Sequence, residues 1–401
     1  MSGAWPKVRL GDLLRKSEET IQLQPDFEYR ELTVKLWGKG VVLRGITSGT
    51  AVAAQRRYVA RASHLILSRI DARNGALGIV PPELDGAIVS NDFPTYDLAA
   101  DRLLPAFLGW MCRTASFIEA CQRASEGTTN RVRLKEDLFL DIEIPLPPLE
   151  EQRRVVTRIE ELAAKINEAR ALRQEAVRDA AALVPCATAS LLDDAGWRTQ
   201  ALGNLLAEPP RNGLSPKPEV ETGGRPMLRI NAVSSSPSRF VDLTPAKQVE
   251  VSDEEARPFE LQHNDVFIVR YNGDINRVAK PAIYKATNGC RAVFPDKLMR
   301  LRPEPSRMLP DFLVFALATS SVREQIEDLG RTTAGNIGIN GENAKSFIVP
   351  VPPVPEQYRI VAELDALQME VDALQCLQAE TAAALDALLP TILDRAFKGD
   401  L

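Results

Sequence analysis

The sequence predicts an α+β protein in which two pseudo-symmetric mixed α/β domains are joined by a long antiparallel, coiled-coil-like helical pair. Three observations predict it. The chain repeats itself at an offset of about 205 residues; each copy carries a proline-rich run followed by an apolar stripe at near-heptad spacing; and the remainder mixes short apolar runs with Gly, Pro and Asn turns.

The repeat is plainest where IPLPPLEEQRRVVTRI (residues 144–159) aligns without a gap to VPVPPVPEQYRIVAEL (residues 349–364). The same offset pairs Arg102, Leu104, Pro105, Phe107 and Leu108 with Arg307, Leu309, Pro310, Phe312 and Leu313. A W-x4-LG-x-LL pattern occurs from Trp5 to Leu14 and again from Trp197 to Leu206. The chain therefore divides into large segments 1–144 and 195–349 and short segments 145–194 and 350–401.

The short segments read as helices. Proline keeps the residue before it extended and suits the first helical turn, and the acids Glu150 and Glu151 match the helix dipole there. The stripe that follows comprises Val155, Ile159, Leu162, Ile166, Ala169, Leu172 and Ala176. In the second copy it comprises Ile360, Leu364, Leu367, Val371, Leu374, Leu377 and Thr381. Pro185 and Pro390 are expected to end or kink each helix. That leaves about 35 residues, roughly 50 Å, per helix. A large domain of roughly 40 Å joins the end of the first helix to the start of the second. An antiparallel pair lets the chain leave and return at one end, relating the domains by a pseudo-twofold axis.

In the large segments the expected strands are Val41–Leu43, Leu65–Ser68, Ala87–Val89, Met227–Ile230, Val266–Val269 and Ala282–Tyr284, with a helix near Pro105–Ala120 and another near Pro310–Leu329. Each also carries two polar loops, at residues 68–75 and 126–133 and at residues 270–277 and 331–336. Arg and Asn offer bidentate donors and acceptors to base edges; Thr hydroxyls and Gly-turn amides suit phosphates. The candidate contacts are Arg69, Arg73, Asn74, Thr128, Thr129, Arg131 and Arg133 in the first domain. In the second they are Arg270, Asn272, Arg277, Arg331, Thr332, Thr333 and Asn336. The competing reading is a set of ordinary surface turns, and recurrence of both loops in both halves weighs against it.

Composition narrows the function. A hydrophobic share of 45% and a charged share of 26% exclude disorder as a whole-chain description. No run of about 18 apolar residues marks a membrane span. The opening MSGAWPKVRLGDLL lacks a signal-peptide core, and the five scattered cysteines show no CxxC pair, so a cytoplasmic location is expected. The net charge of −5 argues against nucleic acid. Yet the acid is concentrated in the short segments, and the large ones are slightly basic. Motifs for a phosphate loop, dinucleotide binding, a nucleophile elbow or a zinc protease are absent. Asp92-Phe93-Pro94-Thr95-Tyr96 only echoes an amino-methyltransferase motif, Pro25-Asp26-Phe27-Glu28 lacks the lysine of a nuclease motif, and His64 reads as a strand residue. These absences favour a binding protein over an enzyme.

The order domain–helix–domain–helix, with IPLPPLEEQRRVV and VPVPPVPEQYRIV at the helix starts, resembles the specificity subunit of type I restriction–modification systems. The ending LDRAFKGDL resembles that family's C-terminus, and Trp37-Gly38-Lys39-Gly40-Val41-Val42-Leu43 with Ser68–Gly75 resembles its target-recognition domains. The second domain lacks the WGKGVVL segment. The resemblance implies two target-recognition domains, each reading one half of an asymmetric bipartite site in double-stranded DNA. It implies that the central and C-terminal conserved regions, the helices, dock two methyltransferase subunits and, through them, restriction/translocase subunits. Glu151, Gln152, Arg154, Glu356, Gln357 and Arg359 are the docking candidates. No catalytic residue, metal or bound cofactor is expected; S-adenosylmethionine is expected on the partner methyltransferase. The alternative is a pseudo-symmetric scaffold in a defence complex that holds protein partners and reads no DNA sequence.

Overall fold

Two long helices, Leu149–Leu192 and Val354–Lys398, organise the chain, each opening just after its PxPP run. The structure is a computed structural model that describes residues 5–52, 56–127, 132–193, 195–215, 217–221, 223–236, 238–244, 246–286, 291–329 and 337–400. Contacts divide it into unit 1, Met1–Gln174 with Gln378–Leu401, and unit 2, Glu175–Leu377.

The helices run to 44 and 45 residues, and Pro185 and Pro390 lie inside them rather than at their ends. An interior proline removes one helical hydrogen bond and crowds a carbonyl, at a cost of about 3 kcal/mol. The turns beyond each proline are anchored: Leu192 is buried in unit 2, and Leu393 and Ala396 are buried in unit 1. In unit 1, Val155, Val156 and Ile159 from the start of the first helix share a core with Leu389, Leu393, Ala396 and Phe397 from the end of the second. In unit 2, Val184, Leu191 and Leu192 share a core with Val354, Ile360 and Leu364. Opposite helix ends meet in both units, the antiparallel arrangement expected. The stripe is not a continuous seam, however. Ile166 and Val371 are buried, but Leu172, Leu374 and Leu377 are exposed.

Each unit repeats one frame. Lys7–Arg9 pairs antiparallel with Glu143–Pro145, as Thr199–Ala201 pairs with Ile348–Pro350. The next residue closes the link again, Leu10 N–H donating to Ile142 O at 2.9 Å and Leu202 N–H to Phe347 O at 2.8 Å. A four-stranded antiparallel sheet follows in the same order. In unit 1 it runs Leu14–Lys16, Thr95–Leu98, Leu65–Leu67, Leu77–Ile79; in unit 2, Arg211–Asn212, Leu298–Leu301, Val266–Val269, Pro281–Ile283. Leu65–Leu67 and Val266–Val269 are buried throughout, as unbroken apolar runs should be in strands covered on both faces.

Each expected long helix is two. Pro105–Met111 breaks before Ala115–Arg123, and Pro310–Leu317 breaks before Ser320–Leu329. At the first break the Thr114 hydroxyl donates to Met111 O at 2.8 Å and accepts from Phe117 N–H at 3.2 Å, capping the new helix. Thr319 donates to Ala316 O in the same way, at 2.9 Å. The strand expected at Met227–Ile230 is instead Arg225–Met227, since Asn231–Ser234 turns into a short helix. His64 precedes its strand, and its imidazole pKa lies below the ordinary value, chiefly because burial disfavours the cation.

The units differ in what they add. Unit 1 carries a five-stranded sheet in the order Thr20–Gln22, Arg56–Ala60, Ala87–Val89, Glu28–Val34, Val41–Ser48. Unit 2 carries instead the pair Arg225–Met227 and Lys247–Val249, with short helices at Asn231–Ser234 and Asp253–Ala256.

Candidate nucleic-acid interface

In each unit a residue just past the second polar loop bonds back to the backbone of the first, at equivalent places. In unit 1 the Leu134 N–H donates to Arg69 O at 2.8 Å; in unit 2 the Ile339 N–H donates to Arg270 O at 2.8 Å. Each junction borders a groove. One of about 560 Å³ is lined by Arg69, Gly127, Arg133, Leu134 and Glu136, and one of about 480 Å³ by Arg270, Tyr271, Gly338, Ile339 and Asn340.

In unit 1, the loop after Leu65–Leu67 winds into a 3₁₀ turn, Ala72–Asn74, and leaves through Gly75 at φ +76°. Arg69 does not point freely outward. Its guanidinium donates to Asn91 Oδ1 at 3.4 Å and forms an ion pair with Glu136. Glu136 also takes Lys16 Nζ at 2.6 Å and the Tyr96 hydroxyl at 3.2 Å. Burial opposes the charge on Glu136, but the hydrogen bonds from Lys16 and Arg69 prevail and hold its carboxyl below the usual range. Arg133 is exposed and donates to Asp92 Oδ1 at 3.0 Å. The Arg73 carbonyl accepts from Gln122 at 3.1 Å, while its half-buried guanidinium meets no acceptor among the described residues. Thr128, Thr129 and Arg131 lie outside the described residues.

A third loop joins this pair. Trp37 N–H donates to Asn74 O at 2.8 Å, and Gly38 N–H donates to Gly75 O at 3.0 Å. The approach is close: a Cβ on Gly38 would sit 2.8 Å from Arg113 Cγ, and one on Gly75 3.2 Å from Gly38 N. Trp37 itself has φ +60°, a left-handed conformation costing a non-glycine residue about 1–3 kcal/mol, and it is 67% exposed. In the sequence Trp37 stands within the WGKGVVL motif. A tryptophan between two lysines and two glycines, with no carboxylate from Lys35 to Arg44, is the signal that marks it.

In unit 2, Tyr271–Asn272 pairs with Ile337–Gly338, and a Cβ on Gly338 would meet Tyr271 Cβ at 2.8 Å. Arg270 lies over the Tyr271 ring at 5.6 Å and donates to the Asp296 carbonyl at 3.5 Å. The Asn272 side chain accepts from Asp274 N–H at 3.1 Å, and Asp274 caps the turn that carries Arg277. Arg277 is exposed, 3.7 Å from Asp274 and 3.4 Å from the Ser235 hydroxyl. Arg331, Thr332, Thr333 and Asn336 lie outside the described residues.

The six docking candidates fall into two kinds. Glu151 pairs with Arg154 at 2.6 Å, and Glu356 with Arg359 at 2.6 Å, on exposed first turns. The hydrogen bond from the arginine holds each carboxyl below its usual range. Gln152 and Gln357 are fully buried and face inward. Gln152 accepts from Leu104 N–H at 2.9 Å and donates to Arg102 O at 2.7 Å and Pro147 O at 2.8 Å. Gln357 accepts from Leu309 N–H at 2.8 Å and donates to Arg307 O and Pro352 O at 2.9 Å each. They bolt each helix start to its own domain, so their expected contact with a partner gives way to an internal one. Among the described residues no His/Cys/Asp/Glu cluster suits a metal ion, and no helix is long and apolar enough to cross a membrane.

No protein-family model matches the chain. It is 28% identical over 313 residues to the type I restriction enzyme EcoKI specificity subunit of Escherichia coli strain K12, covering 75% of this chain and 66% of that protein. It is 24% identical over 309 residues to the StySPI specificity subunit of Salmonella potsdam, covering 74% and 65%. The match thus spans just under two thirds of the length of these relatives. Its curated homologues are specificity subunits of type I restriction enzymes. Among solved structures, the HsdS subunit from Thermoanaerobacter tengcongensis aligns with a TM-score of 0.64 at 26% identity, over 100% of this chain and 98% of that one. A chain from a structure on complex assembly and conformational transition of the type I R-M system aligns with a TM-score of 0.75 at 27% identity, over 100% and 99%. Both span the mixed sheet-and-helix units together with the two long helices.

Proposed function

We propose that this chain is the DNA sequence-recognition subunit of a type I restriction–modification complex. Unit 1 reads one half of an asymmetric bipartite target in double-stranded DNA, and unit 2 reads the other. The observation that carries this reading is a frame repeated strand for strand that presents two unlike loop surfaces. The two halves of a palindrome would need two like ones. The base-reading candidates are Arg73, Asn74 and Arg133 in unit 1, and in unit 2 the exposed Arg277 with the half-buried Arg270 and Asn272. Arg69, tied to Glu136, positions the loop.

The chain itself is non-catalytic in this reading. Its helices dock two methyltransferase subunits, which carry S-adenosylmethionine, and through them the restriction/translocase subunits. The exposed apolar residues on the middle turns, Leu172, Met369 and Leu374, together with the Glu151–Arg154 and Glu356–Arg359 pairs, support that role. The deciding experiment is a genome-wide methylation map of the host with and without this gene. Loss of one interrupted, asymmetric methylated motif is expected. An unchanged map, together with no salt-dependent DNA binding by the co-purified complex, would replace this reading with a protein-only scaffold.

A further inference from the structure

We propose that Trp37 is a DNA-contact residue of unit 1, its indole presented to a groove of the duplex beside Arg73 and Asn74. The inference rests on the DNA-recognition reading above and adds a residue to it. Three observations support it.

The indole is displayed, not left over. Trp5, Trp110 and Trp197 pack against the cores of their units, whereas Trp37 is 67% exposed. Isolated exposed apolar side chains are ordinary on protein surfaces. This one, however, sits at φ +60°, where glycine or asparagine relieves strain at no loss of packing. The backbone that holds it there is built: two hydrogen bonds to Asn74 and Gly75, and a glycine at 38 that lets the turn press on Arg113. Strain held by such surroundings is a mark of function.

The position is the second observation. The bond from Trp37 N–H ends on the carbonyl of Asn74, so the indole is carried on the same rigid assembly as Arg73 and Asn74. A ligand read by that loop meets Trp37.

Charge is the third, and it names the ligand. Lys35 and Lys39 are both exposed on the turn, and Arg113 is exposed beneath it. No carboxylate interrupts the segment from Lys35 to Arg44. A displayed indole on a turn that carries two exposed lysines suits a polyanion that also offers sugar and base edges in a groove, which is duplex DNA. An apolar protein face would leave the lysines unmatched.

The test uses the full chain with its co-purified subunits, titrated against labelled duplexes selected by the wild-type complex from a random-sequence library. Trp37→Gly removes the indole and relieves the backbone, and Trp37→Asn does the same with a polar side chain. Both are expected to melt at or above the wild-type temperature and to bind the selected duplex on the order of tenfold more weakly. Trp37→Phe is expected to keep most of the affinity. Wild-type affinity in the Gly and Asn variants overturns the inference while leaving the DNA-recognition reading standing. A wild-type complex that selects no duplex overturns both.

Discussion

Units 1 and 2 share a frame and differ in what hangs on it, and Arg69 and Arg270 show how. Both accept the same backbone bond on the carbonyl, from Leu134 and Ile339. Arg69 is then locked by Glu136, which opens the helix Glu136–Leu140. The equivalent place in unit 2 is Gly341, which opens the helix Gly341–Ser346 and leaves Arg270 lying over Tyr271. Glu136 against Gly341 is thus one of the differences between an arginine tied to a carboxylate and one lying over a ring along a groove. Duplication constrains the backbone of such a protein, because each internal bond serves the same joint twice. Side chains above the joint carry no such constraint, and the asymmetric target proposed for this chain needs their freedom.

The largest effects should come from the shared frame and should be equal in the two halves. Phe107 and Phe312 occupy equivalent, fully buried sites, Phe107 stacking edge-on at 5.1 Å from Phe397. Truncation of either to Ala is expected to cost about 3–5 kcal/mol. Denaturant titration of each unit's transition checks it, and a cost confined to one unit would break the equivalence. Gln152→Ala and Gln357→Ala come next. Each strips one backbone N–H and two carbonyls of their partner, for an expected loss of about 2–3 kcal/mol in either half.

Much of this frame was legible in the sequence. The aligned EQ dipeptides, the W-x4-LG-x-LL pattern and the paired proline runs each mark a joint that both units use. What the glutamines do was not legible, because their partners at Arg102 and Arg307 lie 50 residues away, and helix position alone leaves their direction open. The lock on Arg69 depends on Glu136, 67 residues on, and no local pattern announces it. The breaks at Thr114 and Thr319 are not announced locally, since each threonine turns its hydroxyl back to a carbonyl three residues before it, a bond the sequence does not show. The prolines at 185 and 390 were read by local cost alone, whereas buried turns beyond them hold the helices together. The five-stranded sheet of unit 1 includes Glu28–Val34, where charged residues on the exposed positions hide the strand.

The locked arginine gives a middle-sized effect with a pH signature. Glu136→Gln removes the carboxylate that Arg69 and Lys16 share, for an expected loss of about 1–2 kcal/mol at neutral pH. The folded-state pKa of Glu136 lies below its ordinary value near 4.5. Its contribution is therefore full above that ordinary value and falls away as pH drops through the lower folded one. Wild type and Glu136→Gln should accordingly converge in stability below pH 4.5 and separate above it, as melting temperatures across that range will show. A gap that stays constant with pH would mean that the carboxylate charge plays no part in the lock.

The smallest expected effect on stability is also the sharpest test of the comparison. Gly341→Glu would place in unit 2 the carboxylate that unit 1 has at Glu136. Gly341 does not adopt positive φ, and a Cβ there would find only Pro210, at 4.0 Å, so the site has room. A glutamate in the first turn of the helix Gly341–Ser346 also suits its dipole, so stability should change by no more than about 0.5 kcal/mol. If Arg270 reads DNA, the new carboxylate should draw it from the groove and cost about 1–3 kcal/mol of binding at one position of one half-site. The other half-site, proposed to be read through Arg73, Asn74 and Arg133, should be untouched. Binding selection with the variant complex separates the outcomes: relaxed preference in one half locates Arg270 in the reading of DNA, while an unchanged motif leaves Asn272 and Arg277 to carry unit 2.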